Sequence, residues 1–311
     1  MPGCLVTGGS GFLGSHLVAS LKSESELSDV IVLGRRGDAR TDPHGFRRVD
    51  LLNVDQLNDI IAEIQPSTVY HLAGKTPPAD AEAFYRENTL ATVHLLDALR
   101  IARHPCRVVL IGSAAELGLV PVSDLPVGED YPCQPVDSYG LSKWLATCAG
   151  LAASPPLEVV IARVFNPIGP GLPVTQALGR FAEELARGSE PVRLVVGDLD
   201  SRRDFVDVRD VARALIALGQ SGQAGRIYHV GTGHSHRVGD GLEQLIALSG
   251  RQVEVKVDST RLRSAGPTDS RADIRKIKNE LGWSAQIFWE QSLADLWNDA
   301  LSRVRSGLTG V

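Results

Sequence analysis

Three stretches of this 311-residue chain carry groups able to do chemistry. Tyr139-Gly140-Leu141-Ser142-Lys143 sets a phenol and an ammonium four positions apart. They share one helix face if Ser138 to Ala149 is helical, as its pattern predicts. A neighbouring cation favours phenolate and lowers a tyrosine pKa toward the range useful for proton transfer. The spacing equally suits a surface tyrosine beside a solvated lysine, so its meaning depends on what lies near it. Ser113 closes the run Val108-Val109-Leu110-Ile111-Gly112, where it reads as a hydroxyl ligand or as a turn serine. Thr7-Gly8-Gly9-Ser10-Gly11-Phe12-Leu13-Gly14 joins the apolar Cys4-Leu5-Val6 to the patterned Ser15 to Leu21, giving strand, glycine turn and helix. Gly8, Gly11 and Gly14 permit a tight turn, close approach of a pyrophosphate to the main chain, and close packing of the new helix on its strand. Such a turn after a strand also occurs with no ligand at all.

The elements that must position these residues alternate regularly. Val30-Ile31-Val32-Leu33, Phe46 to Asp50, Thr68 to Leu72, Val108 to Ile111 and Val159 to Arg163 read as buried strands. Helical patterns over Asp55 to Ile61 and Asn88 to Arg103 separate them, the latter with Leu90, Val93, Leu96, Ala98, Leu99 and Ile101 along one side. Strands alternating with helices predict an α/β fold with a parallel, doubly wound sheet covered on both faces. Ligands then sit at the carboxyl ends of the strands, which places Ser113 and the glycine turn on one edge. Beyond Asn166 the residues Pro167, Gly169, Pro170, Gly171 and Pro173 loosen the pattern and start a second lobe. Phe205 to Gly219 and Ile227 to Val230 return to the core. The expected division is 1–165 with 205–231 for the first part and 166–204 with 232–311 for the second. Trp289, Leu293, Trp297 and Leu301 form a helical stripe read as packing.

Composition narrows the partners. A net charge of −5, with no basic block larger than pairs such as Arg47-Arg48, argues against nucleic acid and anionic membranes. Cys4, Cys106, Cys133 and Cys148 are scattered without ligand spacing, which predicts reduced thiols, no metal site and a cytoplasmic setting. The first strand begins almost at once, so no signal peptide is expected, and no apolar run reaches the roughly 20 residues of a membrane span. A soluble protein is expected.

His71-Leu72-Ala73-Gly74, Arg163 to Gly171, Arg203-Asp204-Phe205-Val206-Asp207-Val208-Arg209-Asp210-Val211, Tyr228 to Gly233 and Leu281-Gly282-Trp283 complete a wider pattern. With the glycine turn, Ser113 and Tyr139/Lys143, they make the chain resemble the extended short-chain dehydrogenase/reductase family of nucleotide-sugar epimerases, dehydratases and reductases. Ile161 to Gly171, Val196 to Asp200 and the Arg-Asp-Phe segment are most similar to GDP-4-keto-6-deoxy-mannose reductases. The resemblance implies a Rossmann-type core with a smaller C-terminal substrate-binding lobe. It implies Tyr139 as acid/base, Ser113 as hydrogen-bond partner of the reacting oxygen, and Lys143 on the nicotinamide ribose. Gly8, Ser10, Gly11, Phe12, Leu13 and Gly14 would hold the pyrophosphate, with Leu72, Ala73, Gly74 and Asn88 beside the cofactor. For Asn88, at a helix start, and for His71, structural hydrogen bonding is an equal alternative. Asn166 and Arg203 match positions that hold a substrate's nucleotide diphosphate, and Arg271 is a second phosphate candidate or a solvated surface residue. A homodimer is implied through the helices at Asn88–Arg103 and Ser138–Ala149.

Two departures bear on the reaction. Leu33-Gly34-Arg35-Arg36 lacks the acid that an NAD site offers to the adenosine ribose and supplies charge for a 2′-phosphate. NADP(H) is therefore favoured, with NAD(H) as the alternative, and Asp50-Leu51 is placed to meet the adenine. The 4,6-dehydratases of this family carry Thr-Asp-Glu where this chain reads Ser113-Ala114-Ala115, and Glu116 comes one position late. Leu117 stands where the family usually has Tyr. The resulting expectation is NADPH-dependent reduction of a 4-keto-6-deoxy nucleotide sugar. The alternatives are a 4-epimerase with retained NAD and a non-catalytic nucleotide-binding protein. Base and sugar selectivity fall to loops such as Gly171 to Ala177 and Asp258 to Asp269.

Overall fold

Cys4–Thr7 (β1) is buried at every position, a pattern that requires a sheet covered on both faces. In a computed structural model, which describes residues 3–23, 30–35, 45–153, 155, 157–189, 191–258 and 268–307, β1 lies inside a seven-stranded sheet. Its partners are β2 (Val30–Gly34), β3 (Phe46–Arg48), β4 (Thr68–His71), β5 (Arg107–Ser113), β6 (Glu158–Val164) and a late strand, β11 (Arg226–Val230). The order is β11-β6-β5-β4-β1-β2-β3, and every pair is parallel. The order reverses between β4 and β1, which opens a crevice at the carboxyl edge.

Successive side chains point to opposite faces, so the continuous apolar strands feed two cores. On one face Val6, Val32, Val109 and Val160 meet Leu17 and Leu21 of α1 (Phe12–Ser23). On the other face Leu5, Leu33, Val108 and Ile161 meet α2 (Val54–Ile64) through Leu57 and Ile61. The helical path expected over Asn88–Arg103 starts earlier and is not uniform. Asp80 caps it by accepting from Ala83 N at 2.7 Å, and α3 (Ala81–Phe84) passes through a π-helical segment, Tyr85–Leu90, into α4 (Ala91–Ala102). Asn88 thus lies within the π segment and not at a helix start. Leu96, Ala98 and Leu99 are buried as expected, whereas Leu90 and Ile101 are exposed. The tyrosine-bearing helix α5 (Ser138–Ala152) begins where Asp137 Oδ1 accepts from Gly140 N at 2.7 Å.

The second lobe follows Val164. β7 (Asn166–Ile168), α6 (Ala177–Arg187), β8 (Val192–Val196), β9 (Arg202–Arg203) and β10 (Phe205–Asp207) lead into α7 (Val208–Ser221), which returns to the large sheet and packs on α1. After β11 come β12 (His236–Arg237), α8 (Val238–Ser249), β13 (Val253–Val257), α9 (Arg275–Leu281) and α10 (Trp289–Arg305). Three two-stranded sheets, β7 with β10, β9 with β12 and β8 with β13, frame this lobe. Its core gathers Phe181, Leu185, Leu194, Leu242, Leu293 and Trp297, so the terminal stripe is packing. Each such side chain contributes roughly 2 kcal/mol by leaving water. One segment departs from the expected division. Ile277 and Trp283 join the core under the large sheet, where Lys276 Nζ donates to Ile227 O at 2.7 Å and Tyr228 OH donates to Glu280 Oε2 at 2.6 Å. Among the described residues no helix is long and apolar enough to cross a membrane, and no cluster of metal-ligating side chains occurs.

Candidate active site

The glycine turn is closed by Gly11 N donating to Gly8 O at 3.0 Å and Ser15 N to Gly11 O at 2.9 Å. Gly8 has φ +71°, and a Cβ there would lie 2.6 Å from Ala73 N, so only glycine lets the turn press on the end of β4. A Cβ on Gly14 would overlap the Gly8 carbonyl oxygen. Ser10 and Gly11 form an exposed rim with Phe12 and Leu13 half-buried behind it, and a Cβ on Gly11 would meet nothing nearer than Gly8 O at 3.3 Å. Side-chain-free backbone at a helix start is what a pyrophosphate requires.

Beside this rim, Leu72, Ala73 and Gly74 continue β4. Thr7 Oγ1 accepts from Ala73 N at 3.2 Å and bonds His71 Nδ1 at 2.7 Å, and His71 Nε2 bonds Thr92 Oγ1 at 2.9 Å. Thr92 in turn donates to Asn88 O at 2.6 Å. With Thr92 as donor elsewhere, the ring carries its proton on Nε2 and accepts at Nδ1. Burial holds the His71 pKa down at about 3, so the ring is a neutral tie between strands. Asn88, 1% exposed, is also fully engaged. Its Oδ1 accepts from Lys75 N at 2.6 Å, and its Nδ2 donates to Lys75 O at 3.1 Å and to Ser142 Oγ at 2.9 Å. It fastens the loop after β4 to α5.

Just after β2, Arg35 is exposed and donates to Glu87 Oε2 at 3.0 Å, while Arg36 lies outside the described residues. Asp50 Oδ1 accepts from Leu52 N at 3.0 Å, and the Leu51 carbonyl accepts from His94 at 3.1 Å, which fixes both at the end of β3.

Ser113 and Tyr139 line one cavity of about 300 Å³, together with Thr76, Pro77, Ala114, Ala115 and Leu117. The Ser113 hydroxyl, which accepts from Ala115 N at 3.2 Å, lies close enough to Tyr139 to influence its phenol, whose ring packs edge-on against Phe84 at 5.5 Å. The expected lowering of the Tyr139 pKa by Lys143 is not what the structure shows. Burial of the phenol dominates and pushes it up, the Ser113 hydroxyl pulls it back, and Glu116 and Asp137 push it up further. Burial also brings Lys143 down to about 8 against the upward pull of Glu116. Among the described residues Lys143 has no hydrogen bond or ion pair, although it is 9% exposed. A buried ammonium of this kind fits the hydroxyls of a bound ribose.

A second cavity of about 330 Å³ lies in the other lobe, lined by Val174, Leu178, Arg180, Phe181, Gly197 and Asp198 among others. Asn166, Pro167, Thr175, Gln176 and Arg203 line both cavities and so stand where they meet. The Arg203 strand is anchored by its neighbour Asp204, fully buried, which accepts from Thr232 N and Oγ1 at 2.7 Å each, Gly233 N at 2.9 Å and Ala272 N at 3.1 Å. The Asp204 carbonyl accepts from Asn166 N at 3.0 Å. Arg271 pairs with Asp269 at 3.5 Å beside the cleft and is not among the lining residues. Of the loop at 258–269, positions 259–267 lie outside the described residues.

Sequence spacing presents Glu116 only as a late acid for dehydration and misses its structural role. The side chain is fully buried and turned away from the cavity, so it offers no acid or base for water elimination. Oε1 accepts from Ser113 N at 2.7 Å and Thr147 Oγ1 at 3.1 Å, and Oε2 accepts from Arg163 Nε at 3.0 Å. Arg163, itself fully buried, bonds His229 Nε2 at 3.3 Å and Cys133 Sγ at 3.2 Å. Ser113-Ala114-Ala115-Glu116 is a capping box, a signal present in the sequence.

A model of the NAD dependent epimerase/dehydratase family matches residues 4–231. The chain belongs to that family. It is similar to the GDP-6-deoxy-D-mannose reductase of Pseudomonas aeruginosa, at 34% identity over 96% of this chain and 97% of that protein. It is also similar to the dTDP-6-deoxy-L-talose 4-dehydrogenase (NAD(P)(+)) of Kitasatospora kifunensis, at 30% identity over 94% of this chain and 93% of that one. Among solved structures, RMD from Pseudomonas aeruginosa complexed with NADPH aligns with a TM-score of 0.86 and 32% identity, covering 97% of this chain and all of that one.

Proposed function

We propose that the protein reduces the C4 keto group of a 4-keto-6-deoxy nucleotide sugar with NADPH. The observation that carries this reading is a pair of adjoining cavities, with Ser113 and Tyr139 lining one, Asn166 and Arg203 lining both, and a recess of mixed polar and apolar walls beyond. The reductase and dehydrogenase relatives and the NADPH-bound neighbour support the same chemistry. Ala114 and Ala115, with Glu116 turned inward, speak against dehydration.

Ser113 donates a hydrogen bond to the C4 oxygen and polarises the carbonyl. Bound NADPH supplies the hydride that the C4 carbon accepts. Tyr139 gives its proton to the oxygen as negative charge develops there, and the product is the C4 alcohol. The raised pKa of Tyr139 keeps it protonated at neutral pH, as a donor must be. Lys143 binds the nicotinamide ribose. Gly8, Ser10, Gly11, Phe12, Leu13 and Gly14 hold the pyrophosphate, with Leu72, Ala73 and Gly74 alongside, and Arg35 meets the 2′-phosphate after yielding Glu87. Asn166 and Arg203 clamp the substrate diphosphate, so that remote binding fixes the hexose for reaction.

The test is NADPH oxidation against a panel of GDP- and dTDP-linked 4-keto-6-deoxy sugars. Tyr139→Phe is expected to lose about 10²- to 10⁴-fold in turnover while still binding NADPH. An active Phe variant, or a protein that purifies with NAD and interconverts sugars without added NADPH, overturns the reading in favour of another mechanism or an epimerase.

The same reading divides the chain into a cofactor part, 1–165 with 205–231, and a substrate part, 166–204 with 232–311 less the segment 275–283. It places the protein in the cytoplasm as a homodimer. Leu90, Leu141 and Leu145, 43%, 37% and 40% exposed, supply apolar surface for pairing. Size-exclusion chromatography with light scattering checks the oligomer.

A further inference from the structure

Ser113, Tyr139 and Lys143 come from two elements, the end of β5 and the start of α5, and something must hold those elements in register. One buried carboxylate touches both. Glu116 Oε1 accepts from Ser113 N at 2.7 Å, fixing the residue whose hydroxyl faces the cavity, and from Thr147 Oγ1 at 3.1 Å. Thr147 is two turns along α5 from Tyr139 and one turn from Lys143, on the same side of the helix. Glu116 Oε2 pairs with Arg163 at 3.0 Å, both side chains being 0% exposed. Arg163 carries the contact into β6, two residues before Phe165 and three before Asn166, which both line the cleft. Beyond Arg163, His229 accepts at Nε2 and its Nδ1 bonds the carbonyl of Val127, another lining residue. The ammonium-bearing helix, the hydroxyl-bearing strand end and two further walls of the cavity therefore meet on a single ion pair.

We propose that Glu116 is the positioning residue of the acid–base site, joining Ser113, the Tyr139/Lys143 helix and the Asn166 wall through its buried pair with Arg163. The inference rests on the reductase reading. A buried ion pair is a poor source of net stability, and apolar replacements of like volume are often neutral or better. Its retention here follows from geometry. A misplacement of about 1 Å in a reacting group can cost about 100-fold in rate.

Charge adds a signature that packing alone does not have. The groups facing Tyr139 and Lys143 are Glu116 from the turn after β5, Asp137 from the helix cap, and His71 from β4, which is neutral. Glu116 raises both Tyr139 and Lys143. Removing its charge, and leaving Arg163 or nothing in its place, lowers both, so the basic limb of the kcat profile moves to lower pH.

The experiment compares wild type, Glu116→Gln and the double variant Glu116→Met/Arg163→Met, which leaves no unpaired buried charge if the single variant fails to fold. Circular dichroism and thermal melting establish folding, and NADPH fluorescence gives cofactor affinity. Expected are a kcat reduced about 10- to 100-fold, NADPH affinity and sugar KM within about threefold of wild type, and a basic limb displaced to lower pH. Wild-type kcat and an unmoved limb in a folded variant overturn the proposal, as does a loss carried entirely by KM. If Tyr139→Phe is active, the reductase reading falls first. If Tyr139→Phe is dead and the Glu116 variants match wild type, only the positioning role falls.

Discussion

Two buried carboxylates stand behind the cleft, one under Ser113 and one at the junction of the two cavities, and they are held in opposite ways. Glu116, under Ser113, is paired with a buried guanidinium. Asp204, beside Arg203, is paired with no cation among the described residues and is held by three backbone N–H groups and one hydroxyl. Both are pushed above the ordinary carboxylate range by burial, against the downward pull of their donors. The contrast assigns different work. A charge held by neutral dipoles stitches backbone segments 204, 232–233 and 272 together, which suits a rigid anchor for the proposed diphosphate clamp. A charge held by a counter-ion sets the electrostatics of the titrating groups next to it.

The comparison breaks most visibly at Asp204. Asp204→Ala leaves several buried donors unpaired, and a loss of about 3 kcal/mol in unfolding free energy is expected by denaturant titration. A loss under 1 kcal/mol would show that these donors find other partners. Next in size is Arg203→Ala. Loss of the guanidinium from the junction of the cavities is expected to raise KM for the nucleotide sugar about tenfold with kcat little changed. An unchanged KM would remove Arg203 from the clamp.

The smallest effect is also the most diagnostic, because its sign differs between groups. A carboxylate whose folded pKa is raised favours the fold most when protonated, so its contribution falls as pH rises through the folded pKa. Asp207 is the opposite case. Burial pushes it up, but hydrogen bonds from Arg209 and Ser292 prevail and hold it below its ordinary value, so its contribution is present above that value and lost on acidification. In a melting series across pH, the deficit of Asp207→Asn should shrink toward acid and that of Asp204→Asn should shrink toward neutral. Parallel trends would contradict the assignment.

Most of the scaffold was legible because it obeys local rules. The buried strands announce themselves as apolar runs, and the glycines at 8 and 14 as positions where a Cβ has no room. The Tyr139/Lys143 helix and the stripe of α10 follow from spacing alone. What escaped depends on contacts between distant segments. The pKa direction of Tyr139 is set by burial, which no four-residue spacing contains. Asp207, Arg209 and Asp210 stand in the most recognisable motif of the second half, yet they serve packing. Asp207 bonds Ser292, Arg209 pairs with Asp295, and Asp210 accepts from Gln286 and Ile287 of the C-terminal segment. The return of α9 to the large sheet rests on Ile277, Lys276 and Glu280 finding partners fifty residues away. Glu116 was visible as a capping box, but Arg163, Thr147 and His229 converge on it only in space.

The π-helical segment Tyr85–Leu90 has a consequence for heredity. A π turn is an α-helix with one residue inserted, and it persists where the insertion is useful. Removing one residue there would restore α-helical register and rotate everything before it by roughly 100° relative to α4. Phe84 would leave the ring of Tyr139, and the stretch would lose its present alignment with α5, while the helix itself stayed intact. An in-frame loss of a single codon could thus silence the site in a chain that still folds, leaving composition and hydropathy almost unaltered.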